Sequence, residues 1–318
     1  MQMKTKLKTF YYNIDILGSC NLKCPTCPQG NSNIKLEKNL MSLDLFNQIL
    51  DKAQEETNIS GIGLFNWTEP LLHPRCADFI KNIKNRNLKC HLSTNLNYGR
   101  NLEEIIEANP NSIRISISGW DNKNYTQTHF GGDINKVKEN MHKIYAYLHY
   151  AAATTKIYLL WHKYKNNDKD EQLMKDYALK CGFGFNTCEA YLMPLELVMD
   201  RWNNVRGKLP IEDNLLTTLD TAKTLCQNNK SKYCRLQQRE ITIDSLGNVH
   251  LCCALFNPAL SKIGNYLDIS INKIQEYKFN NETCEKCLNI GGHNYVTFQW
   301  KFKERMMQKF GNIKNLFF

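Results

Sequence analysis

Between residues 11 and 192 the sequence alternates six strand-like runs with five helical ones, and this alternation narrows the possible folds more than any other feature. Residues 11–17 alternate in polarity and are rich in β-formers. Further strands are predicted over 59–65, 88–93, 112–118, 155–161 and 183–192. Helices are predicted over Ser42–Gln54, with Ser42 as cap, and over Ala77–Arg86, Leu102–Ala108, Ile134–Tyr150 and Lys169–Lys180. The longest carries apolar residues at Ile134, Val137, Met141, Ile144 and Leu148, one stripe of a helix. Strands separated by helices pair in parallel through right-handed crossovers.

The pattern changes near residue 232. Glu240–Asp244 and Asn248–Cys252 read as a hairpin about Ser245-Leu246-Gly247. A helix is expected near Asp213–Cys226, and a short cysteine-bearing segment follows the hairpin.

Composition removes several classes. Of 318 residues, 42% are hydrophobic, enough for a sizeable core and against disorder. No apolar run approaches the roughly 18 residues of a membrane helix. Leu17-Gly18-Ser19-Cys20 has the look of a lipoprotein cleavage box, but Asn13 and Asp15 interrupt the apolar stretch that a signal peptide needs. A cytoplasmic, reducing setting follows, where cysteines serve as metal ligands or catalytic groups more than as disulfides. There are 13 cysteines, an odd number.

Cys20, Cys24 and Cys27 form C-x3-C-x2-C at the end of the first predicted strand. Three thiolates so spaced can hold three irons of a cubane and leave the fourth open. A zinc site would need a fourth ligand, and no Cys or His follows until His73.

Here the chain resembles the radical S-adenosylmethionine (SAM) superfamily, whose hallmark is this triad. The resemblance implies a [4Fe-4S] cluster whose open iron chelates SAM. It also implies a 5′-deoxyadenosyl radical that abstracts hydrogen from substrate, and an electron donor such as flavodoxin or ferredoxin. Asn66-Trp67-Thr68-Glu69-Pro70 is similar to the family's Gly-Gly-Glu-Pro segment, which binds the SAM amino group, with Trp67 and Thr68 replacing both glycines. Ser93-Thr94-Asn95 matches a ribose-contacting segment. Ser116-Ile117-Ser118-Gly119 is similar to one whose serines face the SAM carboxylate and ribose. Thr26 stands where an aromatic residue usually precedes the third cysteine, leaving only a backbone contact to adenine. Thr128-His129-Phe130-Gly131-Gly132-Asp133, before a helix, also resembles members of the superfamily. Polar segments at the ends of successive strands suit a site at the C-terminal rim of a parallel barrel.

Cys234, Cys252, Cys284 and Cys287, with Gly247 five residues before Cys252, resemble the SPASM and twitch extensions that hold auxiliary iron–sulfur clusters. No cysteine follows Cys287, and His293 reads as a loop residue, so the shorter twitch form with one further [4Fe-4S] cluster is favoured. Zinc is the alternative, since C-x2-C beside a hairpin also describes a zinc ribbon. The expected architecture is α/β: a partial (β/α)6 barrel over residues 1–195, a connecting helical segment over 196–231, a hairpin-containing twitch domain over 232–292 and an amphipathic tail over 293–318. In that tail, Phe298, Trp300, Phe302, Met306, Met307 and Phe310 alternate with basic residues, as a helix covering the open side of the barrel would.

Two of the six remaining cysteines, Cys188 and Cys253, are candidate hydrogen-atom donors, as in family epimerases. Without a donor, the substrate radical would lose an electron to the auxiliary cluster and need a base; Glu189, Tyr191 and His162 are candidates. The expected function is therefore oxidation or epimerisation of a small polar substrate of sugar, aminocyclitol or nucleotide-sugar type. A peptide-modifying maturase is the main alternative, though only about ten residues precede the first strand. A zinc-binding nucleic-acid protein is a third, against which the basic residues are scattered rather than striped. The formal charge of +10 would favour an anionic substrate. Counting seven cluster thiolates against two cubane cores brings it to about +7, which weakens that argument.

Overall fold

The structure, a computed structural model, describes residues 7–297. Six strands, β1 (Thr9–Ile14), β2 (Asn58–Gly63), β3 (Cys90–Thr94), β4 (Ser112–Ile117), β5 (Lys156–Lys163) and β6 (Gly184–Glu189), lie side by side in chain order, and every pair is parallel. The predicted helices fill the crossovers: Leu43–Glu56, Cys76–Asn85, Leu102–Glu107, Ile134–Tyr150 and Asp168–Lys180. Ser42 caps the first, its hydroxyl accepting the Leu45 N–H at 3.1 Å.

Two-residue alternation along the strands sets up everything that follows. In β4, Ile113, Ile115 and Ile117 are buried, and in β5 Ile157, Leu159 and Trp161 are. These join the core made with the helices. The intervening residues, Arg114 and Ser116 on β4 and Tyr158 and His162 on β5, point to the other face. Parallel sheets are usually apolar on both faces. This one keeps a polar inner face, the lumen.

The hairpin does not stand apart from the sheet. Strand β7 (Glu240–Ile243) pairs in parallel with β1, and antiparallel β8 (Asn248–His250) and β9 (Lys262–Asn265) extend beyond it. The order is thus β6-β5-β4-β3-β2-β1-β7-β8-β9, an open sheet of nine strands. Gly247 makes the hairpin turn at φ +82°, where a side chain would be strained.

The connecting region departs from expectation. The single helix predicted near Asp213–Cys226 is a 3-10 turn, Pro210–Asn214, followed by a helix over Leu219–Asn228. Thr218 accounts for the break, since its hydroxyl caps the second element by accepting the Thr221 N–H. Leu195–Trp202 forms a further helix, and β6 ends at Glu189 rather than Leu192. After β9 come helices Ile271–Phe279, Glu282–Ile290 and Gly292–Thr297, where the sequence suggested only a short segment. The tail from Phe298 onward lies outside the described residues. A second hydrophobic core joins residues 190–226 to Leu236, Leu251, Leu255 and Tyr295, with Cys234, Cys252, Cys284 and Cys287 packed against it.

Candidate active site

Cys20, Cys24 and Cys27 sit in the loop that leaves β1, all half-buried. Pro28 opens a four-residue helix directly after Cys27. The loop turns on the Cys27 N–H, which donates to the Cys24 carbonyl at 3.0 Å. Gly30 packs so closely that a Cβ there would lie 2.4 Å from the carbonyl oxygens of Lys23 and Cys24. Asn31 Nδ2 donates to the Met193 carbonyl at 2.7 Å, tying the loop to the exit of β6. Cys20 Sγ accepts the Leu22 N–H at 3.5 Å. Burial pushes the Cys20 thiol up to about 12 and that of Cys27 to about 11. Metal-free thiolates are therefore costly here, and a bound cationic cluster would reverse the preference.

Asp15 organises the opposite wall. Its carboxylate accepts the Asn66 and Trp67 N–H groups at 2.9 and 3.1 Å and the Thr68 hydroxyl at 2.5 Å. This explains the missing glycines. The Thr68 side chain is taken up by Asp15, and the Trp67 indole N–H reaches the Leu255 carbonyl at 3.3 Å. Glu69 is 2% exposed and accepts three hydrogen bonds, from Thr94 Oγ1 at 2.7 Å, the Asn95 N–H at 2.8 Å and the Leu71 N–H at 3.2 Å. Burial raises its carboxyl to about 7 and that of Asp15 to about 6. Asn95 Nδ2 reaches Cys20 Sγ at 3.7 Å, so Glu69, Thr94, Asn95 and the first cysteine form one connected rim. Leu96 holds φ +55° just beyond, with its N–H on Thr94 Oγ1 and its carbonyl on Asn140.

The serines divide. Ser116 lines a cavity of about 200 Å³ together with Cys24, Cys27, Trp67, His162 and Tyr191. Ser118 is fully buried instead, bonded to Thr128 Oγ1 and, at 2.7 Å, to His129 Nδ1. Ser93 lies deeper and accepts from Arg114 Nε at 3.0 Å. The Thr26 carbonyl already accepts the Met193 N–H, and its hydroxyl lies 3.2 Å from Tyr164 Oη. Burial pushes His129 down to about 3 and His162 to about 4, so both imidazoles are neutral near pH 7. His162 Nδ1 lies 3.4 Å from Cys188 Sγ. Glu189, the next residue of β6, takes the Thr217 hydroxyl at 2.6 Å on the other face of that strand.

Cys234, Cys252, Cys284 and Cys287 line one apolar cavity of about 30 Å³. Cys234 stands at the position just before the helix Arg235–Arg239, Cys252 follows β8, and Cys284 and Cys287 lie one turn apart on Glu282–Ile290. Burial raises Cys252 to about 12 and Cys284 to about 11, and the neighbouring thiols add to both shifts. His293 is helical, not in a loop. It is 1% exposed, lines this cavity, and its Nδ1 has no hydrogen-bond partner among the described residues. Such an atom suits a sulfide or thiolate acceptor. Among the described residues, no three His, Cys, Asp or Glu side chains converge on a single metal ion, as a preformed zinc site requires. A cubane gives each thiolate its own iron, so its ligands need not converge.

Cys253 Sγ donates to Glu240 Oε2 at 3.5 Å. Beside it Lys278 is fully buried, with its ammonium donating to the Glu240 carbonyl at 2.6 Å. Sequence reading passed over Asp15, Arg114 and Lys278. Asp15 at the very end of a strand was a usable signal; nothing local marked the other two.

Comparison with known proteins gives a consistent picture. A family model described as the radical SAM superfamily matches residues 14–176. The tungsten-containing aldehyde ferredoxin oxidoreductase cofactor-modifying protein of Pyrococcus furiosus is 33% identical over 85 residues, 27% of this chain and 23% of that protein. A "Probable GTP 3′,8-cyclase" of Methanococcus maripaludis is 30% identical over 134 residues, 42% of this chain and 44% of that one. The chain thus aligns with less than half the length of either relative. Streptococcus suis SuiB bound to S-adenosylmethionine superposes with a TM-score of 0.58 at 13% identity, covering 87% of this chain and 67% of SuiB. The enzyme anSMEcpe with bound AdoMet gives 0.55 at 16%, covering 88% and 82%. At these identities the two structures share the fold.

Proposed function

The chain belongs to the radical SAM superfamily, and from that premise we propose that it cleaves SAM reductively and uses the resulting radical to oxidise or epimerise a small polar substrate of sugar, aminocyclitol or nucleotide-sugar type. Cys20, Cys24 and Cys27 hold the [4Fe-4S] cluster that binds SAM. Glu69, with Thr94 and Asn95 bonded to it, receives the SAM amino group. Thr68, Ser93 and Ser116 complete the wall, and Ser118 acts from behind by fixing His129. Cys234, Cys252, Cys284 and Cys287, in the twitch region 232–292, hold a second [4Fe-4S] cluster. When bound, the first cluster supplies one electron to SAM, giving methionine and the 5′-deoxyadenosyl radical, and the second offers an electron acceptor. A flavodoxin or ferredoxin delivers the electron in the cytoplasm.

One observation carries this reading. Trp67 links the two cysteine sites: it lines the cavity that holds Cys24 and Cys27, and its indole N–H donates to the carbonyl of Leu255, which lines the four-cysteine cavity. The alternative is a peptide-modifying maturase, since SuiB is also described bound to a precursor peptide, SuiA.

Anaerobically purified protein tests both. About eight irons and eight sulfides per chain, with no zinc, are expected, and Cys252→Ala should retain about four irons. Reductant plus SAM should then yield 5′-deoxyadenosine and methionine. Well-reconstituted protein that neither binds nor cleaves SAM would falsify the reading. Cleavage stimulated by a peptide and by no sugar would decide for the maturase.

A further inference from the structure

A second, larger cavity opens below the candidate active site. It measures about 670 Å³, within the range of small-molecule sites. Its wall is built from residues early in the strands: Tyr11 on β1, Ser60 on β2, His91 on β3, Arg114 on β4 and Tyr158 on β5. Arg235 and Arg239, both exposed on the short helix after Cys234, stand on its rim.

Arg114 is the informative residue. It is half-buried inside the lumen, two residues before Ser116, which lines the upper cavity. Two residues of strand span roughly 6.6 Å, so Arg114 stands one position below Ser116 on the same face of β4. Its effect reaches upward: after burial, it is what further lowers His162. Arg114 Nε bonds Ser93, and its guanidinium stacks on Phe65, 4.8 Å from the ring centroid. Among the described residues no carboxylate forms a salt bridge with Arg114, Arg235 or Arg239. Glu240, the one acid on the wall, is engaged by Asn13 Nδ2 at 3.0 Å and Cys253 Sγ at 3.5 Å. Three arginines thus face this chamber against one acidic side chain. Arginine's planar fork also matches phosphoryl oxygens in pairs.

We propose that this lower chamber binds the phosphoryl group of a phosphorylated substrate, with Arg114 as the inner anchor and Arg239 and Arg235 gripping it at the mouth. The other end of the substrate then points up the lumen toward His162, Tyr191 and the three-cysteine loop. The proposal rests on the enzymatic reading above and narrows its substrate class.

The test uses full-length, cluster-reconstituted protein and isothermal titration calorimetry with inorganic pyrophosphate as the probe. SAM binding is measured on the same samples. Saturable one-site binding is expected, weakening with added salt. Arg114→Gln should weaken it at least tenfold, and Arg239→Gln severalfold. Succinate, a dianion without phosphoryl geometry, should bind at least tenfold more weakly than pyrophosphate. Absence of pyrophosphate binding to wild type, equal binding by Arg114→Gln, or equal affinity for succinate would each overturn the proposal. Should Arg114→Gln lose SAM binding through misfolding, the exposed Arg239→Gln decides: unchanged pyrophosphate affinity there also overturns it. Pyrophosphate binding to a protein that does not bind SAM would leave the chamber standing and remove the enzymatic reading instead.

Discussion

Cys188 Sγ lies 3.4 Å from His162 Nδ1 across the paired strands β5 and β6, and His162 lines the cavity beside the three-cysteine loop. Burial pushes that imidazole down to about 4, so it brings no positive charge to favour a thiolate. A neutral S–H is what a hydrogen-atom donor must carry. Cys188→Ala is expected to leave SAM cleavage within about threefold of wild type and to abolish deuterium incorporation into product from D2O, read by mass spectrometry. Unchanged deuterium incorporation would remove Cys188 as donor.

Glu69 makes SAM binding depend on pH. Burial raises its carboxyl to about 7 in the folded, unliganded protein, above the unfolded value of about 4.3. The folded state therefore holds an extra proton between those values, and Glu69's contribution to stability falls as pH rises through that window. An iron-bound SAM amine keeps N–H donors for Glu69 and SAM carries a sulfonium charge, both of which favour the carboxylate, so SAM binding releases the proton. Affinity should rise about tenfold from pH 6 to pH 8 and level off above. Glu69→Gln should bind more weakly and show a flat profile, measured by equilibrium dialysis under anaerobic conditions.

The alternation of strands and helices was readable because residues such as Ile113, Ile115 and Ile117 advertise one buried face. The rim segments were readable because Glu69, Thr94 and Asn95 occupy strand ends, where a parallel sheet gathers its loops. Trp67 and Thr68 were not interpretable until Asp15 and Leu255 appeared as their partners, 52 or more positions away. The parallel pairing of β7 with β1 joins residues about 229 apart, and no local pattern encodes such a contact. His293 read as a loop residue; in fact Gly291, at φ +77°, ends one helix and the next, which carries His293, begins at once.

Asp15 bears on stability as well as on the site. Removing its carboxylate leaves two backbone N–H groups and one hydroxyl without their acceptor, at about 1–3 kcal/mol for each that stays buried. Asp15→Ala should lower unfolding free energy by about 2–4 kcal/mol in urea titrations of the cluster-free protein. Asp15→Asn keeps an acceptor oxygen and should lose about half as much. A midpoint unchanged by Asp15→Ala would show that the Asn66–Thr68 loop is held by other contacts.

Lys278 gives the auxiliary site its most direct electrostatic test. Its side chain is fully buried, and burial lowers its pKa while Cys252, Cys284 and Glu240 pull it back up. Lys278 Nζ donates a hydrogen bond to the Glu240 carbonyl at 2.6 Å. A buried positive charge stabilises the more negative, reduced form of a nearby cluster, because little solvent screens it. Lys278→Met should shift the second cluster's reduction potential to a more negative value in an EPR-monitored titration, with iron still near eight per chain. Lys278→Arg, which keeps the charge, should shift it less. The first cluster's potential, tracked in the same titration, should stay in place. A zinc-filled site would give no second redox signal in any variant. If the second potential does not move in Lys278→Met, Lys278 places no charge beside that cluster.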